Sequence, residues 1–240
     1  MNQLITPLSS SELKNIYMDN FQGLLVDIDD TLYSYQDAHK IALADCYMKF
    51  KSLLENNQIF KNNSPLSFHN FCILYKQNRQ FIFKSLTPQS SCRSRLLAFQ
   101  KMFEDNLSNS YKNLSYQLAL EFEEHYWKSI IENMQPNNEV NEFIKKNFLN
   151  GKIICAISDM QTSIQIKKLK KLNLDQYISY LVTSEEAGEE KPNSKIFNLA
   201  LHKINLPPSK VLMIGDNYEK DYRGANQLGI DALLIDLNGS

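Results

Sequence analysis

Phe21-Gln22-Gly23-Leu24-Leu25-Val26-Asp27-Ile28-Asp29-Asp30-Thr31 is the stretch on which the reading of this chain turns. A short apolar run breaks off abruptly into acids. It is too short for a helix, so it predicts a buried strand with carboxylates at its end. Downstream, residues 36–134 offer no comparable strand. Phe68, Phe71, Cys72 and Tyr75 recur at helical spacing, as do Leu118, Phe122 and Tyr126, and Ser64-Pro65 and Thr87-Pro88 punctuate the segments. This region reads as all-helical.

Beyond Pro136 the texture changes. Strand-like runs at Lys152–Ile157, Tyr180–Thr183, Val211–Ile214 and Ala232–Ile235 alternate with helical patterns near 138–148, 162–172, 194–203 and 219–228. Such alternation builds a parallel sheet from βα units. The strand ahead of Asp27 has no partner nearby in sequence, so it is expected to join this later sheet. The expected architecture is α/β, a doubly wound parallel sheet with an inserted all-helical cap. The core would be residues 1–34 and 135–240, and the cap residues 35–134.

Composition narrows the functional classes. The 240 residues are 43% hydrophobic and 22% charged, ordinary for a globular chain. With 26 Lys and Arg against 27 Asp and Glu, the net charge of −1 gives no reason to expect a nucleic-acid or membrane partner. Cys46, Cys72, Cys92 and Cys155 are scattered without a C-x-x-C pair, so neither a disulfide framework nor a zinc site is expected. Cys155, inside an apolar run, reads as a small buried hydrophobe. No basic stretch followed by an apolar segment marks residues 1–20 as a secretory leader, and no run reaches bilayer-spanning length. A cytoplasmic setting is expected.

Ligands of parallel α/β sheets bind outside the carboxyl ends of the strands. Here Asp27-Ile28-Asp29-Asp30-Thr31 follows the first strand and Ser158-Asp159 the second. Lys191 comes after the third, and Gly215-Asp216-Asn217, with Asp221 beyond, after the fourth. Two carboxylates about 4 Å apart repel by roughly 4 kcal/mol at an effective dielectric near 20. Gathering Asp27, Asp29 and Asp216 therefore calls for a divalent cation, and an all-oxygen set without His or Cys suits Mg²⁺. A metal and a lysine facing an anion are equipment for phosphoryl transfer.

The order Asp-x-Asp-x-Thr, strand-end Ser, Lys-Pro, then Gly-Asp with a further Asp resembles the haloacid dehalogenase-like superfamily of hydrolases. The resemblance covers about residues 20–34 and 136–236, and includes the stretches from Ser184 to Pro192 and from Arg223 to Gly229. The insertion point resembles that of members with a helical cap. The resemblance implies hydrolysis of a phosphate monoester of a small metabolite, such as a nucleotide or sugar phosphate. Asp27 would be the nucleophile. Asp29 would be the acid and then the base, its main-chain carbonyl on the metal. Ser158 would bind a phosphoryl oxygen, Lys191 would neutralise charge, Asp216 would ligate Mg²⁺, and Asp221 would support it. Thr31 would shape the turn. Dehalogenating members lack the second acid, so Asp29 argues against that reaction. Asp159 departs from the Asn found in many members.

Bland readings exist for each signal alone: an acidic turn, a helix N-cap at Ser158, a surface lysine, and a Gly-Asp turn. Their joint order at strand ends is what selects the functional one. A phosphosugar mutase, and a non-catalytic binding protein on this scaffold, are the rival readings. Lys167, Lys168, Lys170 and Lys171 read as a solvated helix face. Phe68, Phe71, Tyr75, Phe81 and Phe83 read as bundle core. Arg79, Arg93 and Arg95 read as surface charges, or as a contact to a substrate anion. Tyr33 and Tyr35 fall where similar proteins carry a flap, as channel lining or hinge packing. His39, His69, His125 and His202 show no ligand spacing.

Overall fold

The computed structural model describes residues 7–56, 59–61 and 66–236. Among these, six strands form one parallel sheet: β1 (Leu8–Ser9), β2 (Gly23–Val26), β3 (Ile153–Ser158), β4 (Tyr180–Thr183), β5 (Val211–Gly215) and β6 (Asp231–Asp236). Their order is β1-β6-β5-β2-β3-β4, so the strand without a local partner does join the later sheet, between β5 and β3. All four residues of β2 are buried, as a central parallel strand covered on both faces requires. At Gly23 a Cβ would come within 2.7 Å of Leu206 Cδ1, the end of a side chain that would have to turn aside. β1 escaped the sequence reading because two residues carry no periodicity.

The chain divides into two compact units, residues 1–35 with 135–240 and residues 36–134. The second is helical, with α1 (Tyr35–Asn56, its first residue in the core unit), α2 (Phe68–Leu86), α3 (Arg95–Asn106) and α4 (Ser115–Glu132). Ser67 and Ser94 cap α2 and α3, accepting from Asn70 N and Leu97 N. α2 ends before Thr87-Pro88, as the breaker predicts, while Ser64-Pro65 and residues 1–6 of the expected core lie outside the described residues. The core of this unit is aromatic: Phe122 lies 5.0 Å from Phe103, 5.7 Å from Phe99 and 6.4 Å from Phe50, ring centre to ring centre.

Two expectations about this unit need correction. On α2 the inward face is Phe71, Tyr75, Asn78 and Ile82, whereas Phe68 and Phe81 are exposed, so only part of the aromatic set is core. Arg95 is buried, stacked over the rings of Tyr126 and Trp127, while Arg79 Nη1 donates to Cys92 O at 2.6 Å. These arginines pack the helical unit; Arg95 is no surface charge. His39 sits beside Tyr126, its Nδ1 2.7 Å from the hydroxyl, and burial together with Arg95 and Arg79 lowers its pKa to about 4.

In the first unit the remaining helices are α5 (Asn138–Leu149), α6 (Thr162–Lys171), α7 (Ser184–Ala187), α8 (Ser194–Ile204) and α9 (Gly224–Asn226). One sheet face, with Leu25, Cys155, Ile157, Val182, Val211 and Met213, packs on Ile196, Phe197, Ala200, Leu201 and Ile204 of α8. Leu24, Ile154, Ala156, Leu212 and Ile214 alternate with them and are equally buried. Cys155 is the small core residue expected, and burial pushes its thiol up to about 12. The helix expected over 219–228 is present, but it opens as a wide π-type turn, Tyr218–Arg223, before passing into α9. That wider turn folds Asp221 back onto the end of β5, where a Cβ on Gly215 would sit 2.4 Å from the Asp221 carboxyl carbon.

Truncating Phe122 removes the ring that joins the three others. Phe122→Ala is expected to cost about 3–5 kcal/mol of stability, read from the urea midpoint; a loss under about 1 kcal/mol would show that this cluster does not hold the helical unit together.

Candidate active site

Because β2, β3, β4 and β5 run parallel in register, their carboxyl ends align. Val26 pairs with Ala156 on one side and Ile214 on the other, so Asp27, Ser158 and Asp216 emerge on one rim. Asp27 leaves the sheet with its N–H still bonded to Ile214 O at 2.9 Å. The chain then turns sharply: Leu32 N donates to Ile28 O at 3.0 Å, and Asp30 takes a left-handed φ of 58°, tolerable for Asp. Thr31, fully buried, donates from Oγ1 to Asp27 Oδ2 at 3.3 Å, so it orients the acid as well as shaping the turn.

Lys191 joins the parts. Its Nζ donates to Asp27 Oδ1 at 2.5 Å, to Asp221 Oδ1 at 2.6 Å and to Ile157 O at 3.3 Å, all buried. Burial pulls its pKa down, but Asp221, Asp27 and Asp159 together outweigh that and hold it well above the ordinary lysine value. Asp221 Oδ2 accepts from Asn217 N at 3.0 Å, so both its oxygens are engaged. Asn217 in turn caps the π-type turn through Lys220 N.

Carboxylate oxygens of Asp27, Asp216 and Asp221 lie within 4.8 Å of one another. Three negative charges against the one on Lys191 leave an excess of two, the charge of a divalent cation. The strain is visible in the titration. Burial, then Asp221 and Asp30, raise Asp216 to about 7, and Asp27 is raised well above the carboxylate range by burial, with Asp221 and Asp216 adding to it against the pull of Lys191. An all-oxygen donor set of this charge fits a hard cation such as Mg²⁺.

Asp29 stands apart from these three. Its Oδ1 accepts from Lys168 Nζ and from Tyr33 OH, both at 2.5 Å, and its Oδ2 from Gln165 Nε2 at 2.9 Å. Burial pushes its pKa up, but Lys168, Tyr33 and Gln165 together hold it below the usual carboxylate value. Tyr33 is fully buried and a ligand of the acid, beyond the flap role expected of it.

The sequence reading missed three parts of this rim. Lys168 is fully buried, while Lys167, Lys170 and Lys171 are the solvated face expected. Gln165, also buried, gives Nε2 to Ser158 Oγ at 2.6 Å. Ser158 therefore is no helix cap: it is the last residue of β3, and α6 starts at Thr162 after Gln161. Asp159, without an assigned role from sequence, holds the Lys191 N–H at 2.8 Å and Lys220 Nζ at 2.6 Å, so it secures the loop that delivers Lys191. The period of α6 could have found the inward residues, since Gln165, Lys168 and Leu169 fall on one face with Ile164.

Comparison with known proteins agrees with this geometry. The family model of haloacid dehalogenase-like hydrolases matches residues 21–229. Ribulose-1,5-bisphosphate 5-phosphatase of Halopiger xanaduensis is 27% identical over 214 residues, 89% of this chain and 84% of that protein. Glyceraldehyde 3-phosphate phosphatase of Methanothermobacter thermautotrophicus is 36% identical over 80 residues, 33% of this chain and 35% of that one. Among solved structures, a HAD phosphatase from Thermococcus onnurineus superposes with a TM-score of 0.64 at 19% identity over 92% of this chain and 88% of that chain, a likeness of fold. A 2-haloacid dehalogenase from Pseudomonas syringae pv. Tomato gives 0.69 at 20%, with the same coverage. With the family model spanning most of its length and the acids, lysine and strand-end serine in one rim, this chain belongs to the haloacid dehalogenase-like hydrolases.

Proposed function

We propose that this chain, a phosphoric monoester hydrolase, cleaves a small phosphorylated metabolite through a phosphoryl intermediate on Asp27, with Mg²⁺ as cofactor. The observation that carries the reading is the buried Lys191 ammonium shared by Asp27 and Asp221, with Asp216 completing a cluster two charges in excess. Relatives named as phosphatases of ribulose-1,5-bisphosphate, glyceraldehyde 3-phosphate and phosphoserine support the substrate class. No helix of the described residues is long and apolar enough to cross a membrane.

In the first half-reaction an Asp27 carboxylate oxygen attacks phosphorus, the bond to the ester oxygen breaks, and the leaving oxygen takes a proton from Asp29. In the second, water attacks the phosphoryl group as Asp29 takes back a proton, the bond to Asp27 breaks, and orthophosphate leaves. Asp27 and Asp216 would hold Mg²⁺ with Asp221 behind them and the Asp29 main-chain carbonyl alongside; the cation supplies charge neutralisation at the phosphoryl oxygens. Lys191 pulls against the rise that burial gives the Asp27 carboxyl, and offsets the negative charge of the transferring group. Ser158 donates to a phosphoryl oxygen. Asp29, charged in the free protein, has the form the second half needs. A phosphoryl dianion arriving beside it raises its proton affinity, which is the direction the first half requires.

Three outcomes test this reading. Asp27→Asn should reduce phosphate release from a panel of phosphorylated metabolites to below about one part in 10³ of native, with the far-ultraviolet circular dichroism unchanged, since an amide cannot attack; a larger residue of activity removes Asp27 as nucleophile. EDTA should stop turnover and Mg²⁺ restore it; activity that persists without metal sinks the cation argument. The third outcome concerns stability. A carboxyl whose folded pKa is raised binds protons that the unfolded chain has already lost, so its contribution falls as pH rises through the folded value. Metal-free Asp216→Asn should therefore melt above native by several degrees at pH 8, the gap narrowing toward pH 6, and Mg²⁺ should stabilise native but not the variant. An Asp216→Asn protein that melts no higher than native at pH 8 would contradict the charge excess.

A further inference from the structure

Gln165 and Lys168 lie one turn apart on α6, both with no exposed surface, and both reach the rim. Burying an ammonium is strongly unfavourable unless a partner of opposite charge meets it. For Lys168 that partner is Asp29, at 2.5 Å, with the rings of Tyr33 and Tyr35 each 5.6 Å from Nζ. The carboxylate of Asp29 is thereby held from two sides: Lys168 and Tyr33 on Oδ1, Gln165 on Oδ2.

Gln165 carries the second half of the argument. Its Nε2 spends both hydrogens, one on Asp29 Oδ2 at 2.9 Å and one on Ser158 Oγ at 2.6 Å. An amide N–H only donates, so Ser158 Oγ is the acceptor and its own hydroxyl proton is left for another acceptor. The other end of the amide, Oε1, is buried without a hydrogen-bond partner. Burying such an orphan acceptor is destabilising. Turning the amide over would set Oε1 against the Asp29 carboxylate. The fold tolerates the orphan in order to present two donors to the rim, which is a pattern of functional rather than structural placement.

We propose that Lys168 and Gln165 are positioning residues for the hydrolysis: Lys168 fixes the Asp29 carboxylate for proton transfer to the leaving oxygen, and Gln165 turns the Ser158 hydroxyl toward the phosphoryl group. This rests on the phosphatase reading above and names the residues that act through its acid and its serine. Lys168 touches no reacting atom. Its effect must pass through Asp29 and must therefore depend on how much the leaving group needs a proton.

The test compares kcat/KM for p-nitrophenyl phosphate, whose leaving group departs readily as an anion, with that for glycerol 2-phosphate, whose alkoxide must be protonated. This ratio reports the steps up to the first phosphoryl transfer. Lys168→Met should lower kcat/KM for glycerol 2-phosphate by about 10²-fold and for p-nitrophenyl phosphate by less than about 5-fold. In an Asp29→Asn background the same change should add less than about 2-fold on either substrate, because the pair is then removed as a unit. Lys168→Arg, which keeps the charge, gives a smaller skew in the same sense should the methionine variant not fold. Gln165→Leu should raise the inhibition constant of inorganic phosphate by about 10-fold, the worth of one directed hydrogen bond. Equal losses on both substrates, or a further large loss in the Asp29→Asn background, overturn the positioning role. Turnover of neither substrate by the native protein overturns the phosphatase reading, and this inference falls with it.

Discussion

A buried ammonium shared by two carboxylates is the constraint on which the rest of this molecule depends. Lys191 has almost no exposed side chain, and neither have Asp27 and Asp221. An unpaired charge at that depth would cost several kcal/mol, so each of the three is tolerable only while the others stay in place. The three arrive from separate parts of the chain: the end of β2, the loop ahead of α8, and the turn after β5. Tertiary folding and site assembly are consequently the same event here, and a backbone that misplaced any one strand would strand a charge in the core.

Smaller features of the fold serve that constraint. Gly215 leaves the space into which the Asp221 carboxyl folds, and the π-type turn supplies the extra residue of reach. Asp159 ties the Lys191 loop to Lys220. The pair Asp29–Lys168 repeats the same device on the other side of the rim, with Gln165 linking it to Ser158. The rim is thus two lysine–carboxylate groups, each built on a buried lysine, one unbalanced by two charges and one neutral. On the function proposed above, that asymmetry would separate a place for a cation and a phosphoryl group from a place for a proton.

Much of this was legible in the sequence, for a physical reason. Central parallel strands are buried on both faces, so β2, β3 and β5 read as unbroken apolar runs, and polar residues at their ends stand out against them. The order of Asp27, Asp29, Ser158, Lys191, Asp216 and Asp221 could be read without coordinates because each follows directly from a strand or a marked loop. What escaped reading depends on direction rather than on type. Lys168 sits in a run of four lysines, and only the phase of α6 distinguishes the one that turns inward. Arg95 likewise resembles a surface charge until Tyr126 and Trp127, some thirty residues on, close over it. Ser158 carried the sequence signature of a cap, yet the strand runs one residue further and its Oγ accepts from Gln165 Nε2. The two-residue β1 has too little sequence to carry a period.

The account stands most directly on where the phosphoryl group goes. Acid-quenching the protein during turnover of a substrate it hydrolyses, followed by peptide mass mapping, should find one phosphoryl adduct on the peptide containing Asp27, absent from the Asp27→Asn protein. An adduct on a different residue, or product accumulating in a quenched time course that never shows one, would contradict it.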